Sequence, residues 1–408
     1  MPTTEVLTAS LLEQLQSARA EGDRLFDVVK RNAVYERPIS ARHRIIFYIG
    51  HLDGFDSIQI CREGLGIESG DREFDDLFQA GIDPDSTHLP CDVPSDWPSL
   101  DQVLAYVSRC RKNVDAHLEN APESVVHMAL EHRLMHLETL AYMFHGLDYE
   151  AKNSPEFIDS ADMGPAGENE WRTIAAGKAV LGKSDDEVFG WDNEYQEVHC
   201  TVPEFRIQRF SVTNADYLKF VDAGAAMPHF WVRRGDTIYY RGMFAEIPLP
   251  LDWPVYVTQT EAAAYARWHG KSLPTEEQFH RAAFGTPGGH QRALAWGGTE
   301  PGAVYGNFDF RRWEPESVFA RPAGDSAFGV SQLIGNGWQW TRTPFAPFPG
   351  FKPRDTYPGY SANFFDGEHF VLKGGSARTA SRLLRRSFRN WFRRDYPYMY
   401  GAFRCVEN

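Results

Sequence analysis

His132 and His136 stand four residues apart in EHRLMHLETL, a spacing that sets two imidazoles one turn apart on the same helical face. Imidazoles so placed can grip one divalent metal ion. Glu138 lies two residues further and off that face, which suits an acceptor for a ligand's ring N–H better than a third ligand. A third nitrogen is offered by His51 in RHRIIFYIGHLDGF, where Phe47, Tyr48 and Phe55 are its helical neighbours. If His51 faces His132 and His136, three neutral nitrogen donors leave coordination positions open for substrate and for oxygen or water. Spacing alone leaves Fe(II) and Zn(II) both open. His43, His127 and His145 read as structural: His43 lies two turns before His51, and the other two do not share the His132 face.

The elements that must position these residues follow from apolar periodicity. Helical spacing recurs in four stretches, roughly 7–31, 42–65, 99–118 and 123–147, which predicts an N-terminal four-helix bundle. Ser99 with Gln102 forms a capping box before the third stretch, and Pro122 with Glu123 suits the start of the fourth. The intervening FDDLFQAGIDPDSTHLPCDVPSDWP, rich in Asp and Pro, is expected to be a long crossover loop that can line a site. A Gly/Pro-rich acidic stretch marks 151–170 as a linker, so the expected organisation is a bundle over 1–150 and a second domain over 171–408.

In that second part short β-like runs (VLG, FRIQRFSVT, VYVT, HFVLKGG) alternate with turns and two helices, at 260–269 and 275–284, the latter capped by Thr275 and Gln278. An irregular α+β domain held by buried aromatics is expected, with Trp253, Trp268, Trp338 and Trp340 as packing residues. The whole chain is thus an α+β multidomain protein, and its 408 residues suit two cores. Acidic residues outnumber basic ones 56 to 42, for a net charge of −14. That balance argues against nucleic acid or anionic membrane as partners. Five cysteines without close pairing fit reduced thiols. No apolar run is long enough to cross a membrane, and the N-terminus lacks the pattern of a secretion signal, so a soluble cytoplasmic protein is expected.

The C-terminal runs, taken in order over about 171–406, resemble the formylglycine-generating-enzyme (sulfatase-modifying factor) fold, a C-type-lectin-like domain. The first 150 residues resemble a DinB-like four-helix bundle with the pattern His…His-x-x-x-His-x-Glu, met by His51, His132, His136 and Glu138. Together the two domains resemble the ergothioneine-biosynthesis sulfoxide synthases and their relative, selenoneine synthase. The resemblance implies a non-haem Fe(II) centre that uses O2 to join a sulfur or selenium donor to the imidazole of hercynine, the trimethylbetaine of histidine. It also implies that Tyr357, in DTYPGYSANFFDG, is the catalytic proton donor and that Tyr360 lies beside hercynine. Asn390 and Trp391 of FRNW fall on residues that hold the betaine, where an indole face beside a trimethylammonium makes a cation–π contact. Met135 takes the place of a glutamine at the hercynine site.

Departures from the family pattern concern the donor. Enzymes that use γ-glutamylcysteine clamp its carboxylates with a crossover-loop arginine and with an acid and an arginine after the Asn-Trp pair. Here those positions carry Asp83, Phe392 and Tyr396, and each missing charge-assisted contact costs roughly 1.5–3 kcal/mol. A selenosugar, recognised through hydroxyls by Asp83, Asp85 and the tyrosines Tyr396, Tyr398 and Tyr400, is the expected donor. Free cysteine is its competitor. A formylglycine-generating oxidase would need a late cysteine pair for copper, and only Cys405 is present there. A DinB-type thiol transferase would not need the second domain, and a lectin-like scaffold with structural zinc would consume no oxygen. Nine Lys/Arg and one acid, Asp395, lie between Lys373 and Arg404; buried stacking and pairing with the acidic bundle is their expected role, with the active site at the seam.

Overall fold

Helix α2 (Ile45–Asp56) has the sequence IIFYIGHLDGFD, and every one of its residues is buried. A helix apolar on all sides cannot sit on a surface, so the other helices of the N-terminal part wrap around it. The computed structural model describes residues 10–79, 89–154, 164–165, 167–184, 189–298 and 300–407. The chain divides into two compact units, Met1–Phe157 and Ile158–Asn408.

In the first unit α1 (Leu11–Phe26), α2, α4 (Leu100–His117) and α5 (Glu123–His145) are the four long helices. The sequence boundaries were generous at several ends, and α2 runs on into a π-helical turn over Ser57–Glu63. Ser99 caps α4 through the Gln102 N–H, with the Gln102 side chain returning the bond. The expected crossover loop instead begins inside a helix, α3 (Arg72–Gln79). Phe74 and Phe78, one turn apart, both pack on Tyr106 of α4, the buried Phe78 by stacking and the half-buried Phe74 with its ring tilted. Glycine makes this approach possible: a Cβ at Gly50 would lie 2.5 Å from the Phe78 ring, and one at Gly54 would lie 2.8 Å from the Tyr106 hydroxyl. Asp83 and Asp85 lie outside the described residues. The start of the expected linker is tied to the bundle, since the Asn153 N–H donates to the Val28 carbonyl and Lys152 Nζ to the carbonyls of Phe144 and His145.

Two carboxylates on α2 collect an arginine from each of the other long helices. Arg133 of α5 donates to Asp53 at 2.7 Å and to Asp56 at 2.6 Å. Arg111 of α4 reaches Asp53 at 3.0 Å, and Arg19 of α1 lies 3.5 Å from Asp53 and 3.9 Å from Asp56. Asp53, Asp56, Arg19 and Arg133 are all buried.

The second unit is an irregular α+β assembly. Its main sheet has four strands in the order β10 (Asn390–Arg393), β9 (His369–Lys373), β8 (Trp338–Pro344), β11 (Gly401–Ala402), with β11 parallel to β8 and the rest antiparallel. A three-stranded sheet joins β1 (Trp171–Ile174), β4 (Phe205–Gln208) and β12 (Val406–Glu407). The hairpin β2 (Gly177–Leu181) and β3 (Val198–Val202), and a meander of β5 (Trp231–Arg234), β6 (Thr237–Arg241) and β7 (Glu246–Pro248), complete the strands. Helices α7 (Gln259–Trp268) and α8 (Glu276–Phe284) match the two expected, the latter with the Thr275–Gln278 capping box. A third, α6 (Asn214–Asp222), was not foreseen. Ile174, Leu181, Phe205, Phe279, Phe308 and Leu333 centre one core.

Two expectations differ from the structure. VYVT is no strand: the Val255 and Val257 N–H groups bond to the carbonyls of Val212 and Gly401 without forming a ladder. Trp253, Trp338 and Trp340 are buried, but Trp268 is 47% exposed. In the basic C-terminal segment Arg385 pairs with Glu194, Arg389 with Glu276 and Arg394 with Glu368, while Arg378 stacks on Trp313 at 4.1 Å. Arg404, fully buried, donates to the carbonyls of Arg209, Ser331 and Gln332 and to Gln339 Oε1. Arg404→Met strands these acceptors at roughly 1–3 kcal/mol each. We expect a loss of at least about 3 kcal/mol, read as a lower melting temperature by calorimetry; an unchanged melting temperature would remove Arg404 as a keystone of the second unit.

Candidate active site

The first unit brings His51, His132 and His136 together. One ring nitrogen from each lies within 4.8 Å of the others, and among the described residues this is the group of His, Cys, Asp and Glu able to hold a metal ion. The elements explain the convergence. α5 supplies two imidazoles one turn apart, their Nε2 atoms 3.1 Å from each other, and α2 supplies the third from its buried mantle.

Aromatic rings hold the imidazoles flat. Phe47 stacks on His51 with centroids 4.9 Å apart, and Phe55 stacks on His132 at 3.6 Å; both were sequence neighbours of His51 on the helical wheel. The ring orientation of His51 is set by the main chain of α3. Its Nδ1–H donates to the Phe78 carbonyl at 2.7 Å, so the proton sits on Nδ1 and the lone pair on Nε2. That Nε2 is buried and has no hydrogen-bond partner, an arrangement whose cost is removed when a cation accepts the lone pair.

Burial also keeps the three rings neutral. It pulls His51 down to about 4, and it holds His132 and His136 well below the ordinary imidazole range, with neighbouring imidazoles adding to the effect. Metal ligands must be deprotonated, so the set is ready to bind near neutral pH. Three nitrogen donors suit first-row divalent ions and leave positions for other ligands. Glu138 is buried on α5 but is not a member of the converging group. The acceptor for His51 is the Phe78 carbonyl rather than a carboxylate. Met135 lies on α5 between the two histidines and is partly buried. His43, His127 and His145 are outside the group; His43 stacks on Phe47 at 4.2 Å.

The second unit gathers the tyrosines and the Asn-Trp pair. Tyr357 and Tyr360 lie on the long loop between β8 and β9, and Asn390 and Trp391 open the edge strand β10. Tyr360 has its ring 5.2 Å from Trp391 and 6.0 Å from Tyr357. Trp391 stacks on Phe345 at 4.3 Å and is approached by the tilted ring of Phe364 at 5.6 Å. The Asn390 side-chain oxygen accepts the Trp391 N–H at 2.9 Å. Burial pushes the Tyr357 phenol up, so it holds its proton at neutral pH.

Phe392 and Tyr396 stack on each other at 5.1 Å, and Tyr398 lies 5.2 Å from Tyr396. Successive residues of a strand point to opposite faces, so Trp391 and Phe392 head two separate aromatic groups. Asp83, the remaining donor-site candidate, lies outside the described residues.

Sequence reasoning missed the seat of the tyrosine loop. Trp191 stacks on Tyr360 at 3.9 Å, Asp192 accepts a hydrogen bond from the Ser361 hydroxyl, and Arg354 donates to the Gly190 carbonyl. The loop is therefore pinned on both sides of Tyr357 by one segment. The run WDNE at 191–194, two acids beside a tryptophan just after Gly190, was the available signal.

Comparison with known proteins agrees with this architecture. The family described as the sulfatase-modifying factor enzyme 1-like domain matches residues 161–408. The hercynine oxygenase of Mycolicibacterium smegmatis is 31% identical over 433 residues, covering 95% of this chain and 95% of that protein. The hercynine oxygenase of Mycolicibacterium thermoresistibile is 32% identical over 435 residues, covering 95% and 92%. Ergothioneine biosynthesis protein 1 of Neurospora crassa is 26% identical over 501 residues, covering 94% of this chain but 56% of its own length, so the chain spans little more than half of the fungal protein. Helical bundle, sulfatase-modifying-factor-like domain and end-to-end likeness to the mycobacterial proteins lead to one assignment: the chain belongs to the ergothioneine-biosynthesis sulfoxide synthase family.

Proposed function

We propose that this protein is a selenoneine synthase, a non-haem Fe(II)- and O2-dependent enzyme that forms a carbon–selenium bond between the imidazole ring of hercynine and a selenosugar. The observation that carries the metal-dependent reading is the set of three neutral imidazoles with converging nitrogens, one of them a buried lone pair with no hydrogen-bond donor. The observation that favours the selenosugar is the stacked pair Phe392 and Tyr396, which stand where a carboxylate clamp would need an acid and an arginine. An aromatic pair with one hydroxyl suits a neutral polyol better than a doubly charged dipeptide.

His51, His132 and His136 would hold the iron, and Glu138 and the Phe78 carbonyl would restrain ligand orientation. Iron held there would supply a redox-active Lewis acid able to activate O2 and the chalcogen donor. The protein's own groups do the rest. Asn390 and the Trp391 indole face hold the betaine, the latter through a cation–π contact; Tyr360 and Met135 flank hercynine; and Tyr357, protonated because it is buried, donates its proton to the oxygen being reduced, while the ring C–H and donor Se–H bonds give way to C–Se and O2 takes up their electrons.

A second reading, joining cysteine, or less readily γ-glutamylcysteine, to hercynine as a sulfoxide synthase, rests on membership of the family, whose mycobacterial proteins are named hercynine oxygenases. Both readings are compatible with cytoplasmic action on small molecules; no helix among the described residues is long and apolar enough to cross a membrane.

Three experiments test these assignments. Substituting His51, His132 or His136 by Ala is expected to abolish stoichiometric iron together with turnover; iron retained at one equivalent in any of the three removes that residue from the ligand set. Tyr357→Phe is expected to retain iron while turnover falls by about 10²–10⁴-fold, the range of a lost general acid, and product shifts toward simple oxidation of the donor. Wild-type rate and product would reassign the proton donor. Aerobic incubation of iron-loaded protein with hercynine and a selenosugar, cysteine or γ-glutamylcysteine, followed by mass spectrometry, is expected to give the selenium adduct. Preference for γ-glutamylcysteine would overturn the reading of Phe392 and Tyr396.

A further inference from the structure

We infer that Arg133 is a positioning residue for the histidine triad, acting by locking the register of α5 against α2 through the buried carboxylates Asp53 and Asp56. The inference rests on the metal-centre reading and goes beyond it, because it concerns how two helices are held so that three nitrogens can meet.

The ligand set is divided, with His51 on α2 and His132 and His136 on α5. A slip of one helix past the other by a single residue displaces its side chains by 1.5 Å along the axis and turns them by about 100°. Metal–ligand distances tolerate roughly ±0.2 Å. The triad therefore needs a register far sharper than a one-residue step.

Apolar packing is a poor source of that sharpness. α2 is buried on all sides and carries two glycines, and apolar burial is non-directional. Directional restraint comes from Arg133, the residue next to His132. Its Nη2 donates to Asp53 Oδ1 at 2.7 Å and to Asp56 Oδ2 at 2.6 Å, and its Nε lies 3.2 Å from Asp56 Oδ2. One planar guanidinium thus straddles a single turn of α2, with its partners two and five residues beyond His51. Guanidinium–carboxylate bonds combine charge with fixed fork geometry, so sliding or turning α2 breaks three hydrogen bonds and strands charges in the interior. Arg19 of α1 and Arg111 of α4 approach the same two carboxylates, which ties the whole bundle to the α2 turn that follows His51. All of Arg133, Asp53 and Asp56 are at most 2% exposed, so water cannot substitute for a lost partner cheaply.

The test titrates Co(II), whose ligand-field absorption reports ligand geometry, into full-length wild-type protein and into Arg133→Met, Arg133→Lys, Asp56→Asn and Met143→Ala. Met143→Ala is a core truncation on α5 that leaves the charged hub intact. Melting curves for each metal-free protein give the purely structural effect. Wild type is expected to bind one Co(II). Arg133→Met is expected to bind it about 10–100-fold more weakly, the range seen for residues that orient ligands from behind, with shifted absorption bands. Arg133→Lys, which keeps the charge but not the fork, falls between. Met143→Ala should melt at lower temperature yet keep wild-type affinity and bands. Should Arg133→Met fail to fold, Asp56→Asn, nearly isosteric, carries the same expectation. Wild-type affinity and spectrum in the folded Arg133 or Asp56 variants, or equal shifts in Met143→Ala, would falsify the positioning role. Failure of the wild type itself to bind Co(II) would overturn the metal centre and this inference together, which separates the two.

Discussion

A helix that is buried on every side has to be held by its neighbours, and α2 is held by charge as well as by packing. Its mantle carries one imidazole and two carboxylates among apolar residues. The carboxylates draw Arg19, Arg111 and Arg133 from the three other long helices, and the imidazole meets two more from α5. Burying such charges is costly unless all are paired, so the sequence tolerates them only in one arrangement of the helices. The histidine triad exploits that arrangement: the same turns of α2 and α5 that exchange ion pairs present the ring nitrogens.

Small residues complete the device. Gly50 and Gly54 let Phe78 and Tyr106 press against α2, and the seating of α3 brings the Phe78 carbonyl to His51. Backbone contact then decides which nitrogen of His51 keeps its proton. A single main-chain acceptor thus links a glycine in one helix, an aromatic anchor in another and the chemistry available at the ring.

The second unit solves a different problem, the placement of a loop. Tyr357 and Tyr360 lie on a long connection with little regular structure, which by itself would not fix a proton donor. Stacking of Tyr360 on Trp191, the Ser361–Asp192 hydrogen bond and the Arg354–Gly190 contact fasten it at three points. Glu194, which burial alone would raise, is held below the ordinary carboxylate range by Arg385 and by further hydrogen bonds, and so ties the same segment to the basic run near the C-terminus. Within the second unit the arginines of that run find Glu194, Glu276, Glu368, Trp313 and main-chain carbonyls.

Local rules were enough for part of this. His132 and His136 share a face because helical spacing dictates it, and the capping boxes at Ser99 and Thr275 are readable because their partners are three residues away. The α+β division and the aromatic second half were likewise legible in composition and motif. Tertiary structure decided what sequence distance hides. The helical state of Arg72–Gln79 depends on Phe74 and Phe78 finding Tyr106, the exposure of Trp268 depends on which face of α7 packs inward, and VYVT bonds to Val212 and to Gly401 of β11, partners that local propensity cannot foresee. The meeting of His51 with the α5 pair is the clearest case: residues about 80 positions apart become neighbours only through helix register, and register is set by long-range packing and by paired buried charges rather than by any preference of the local chain.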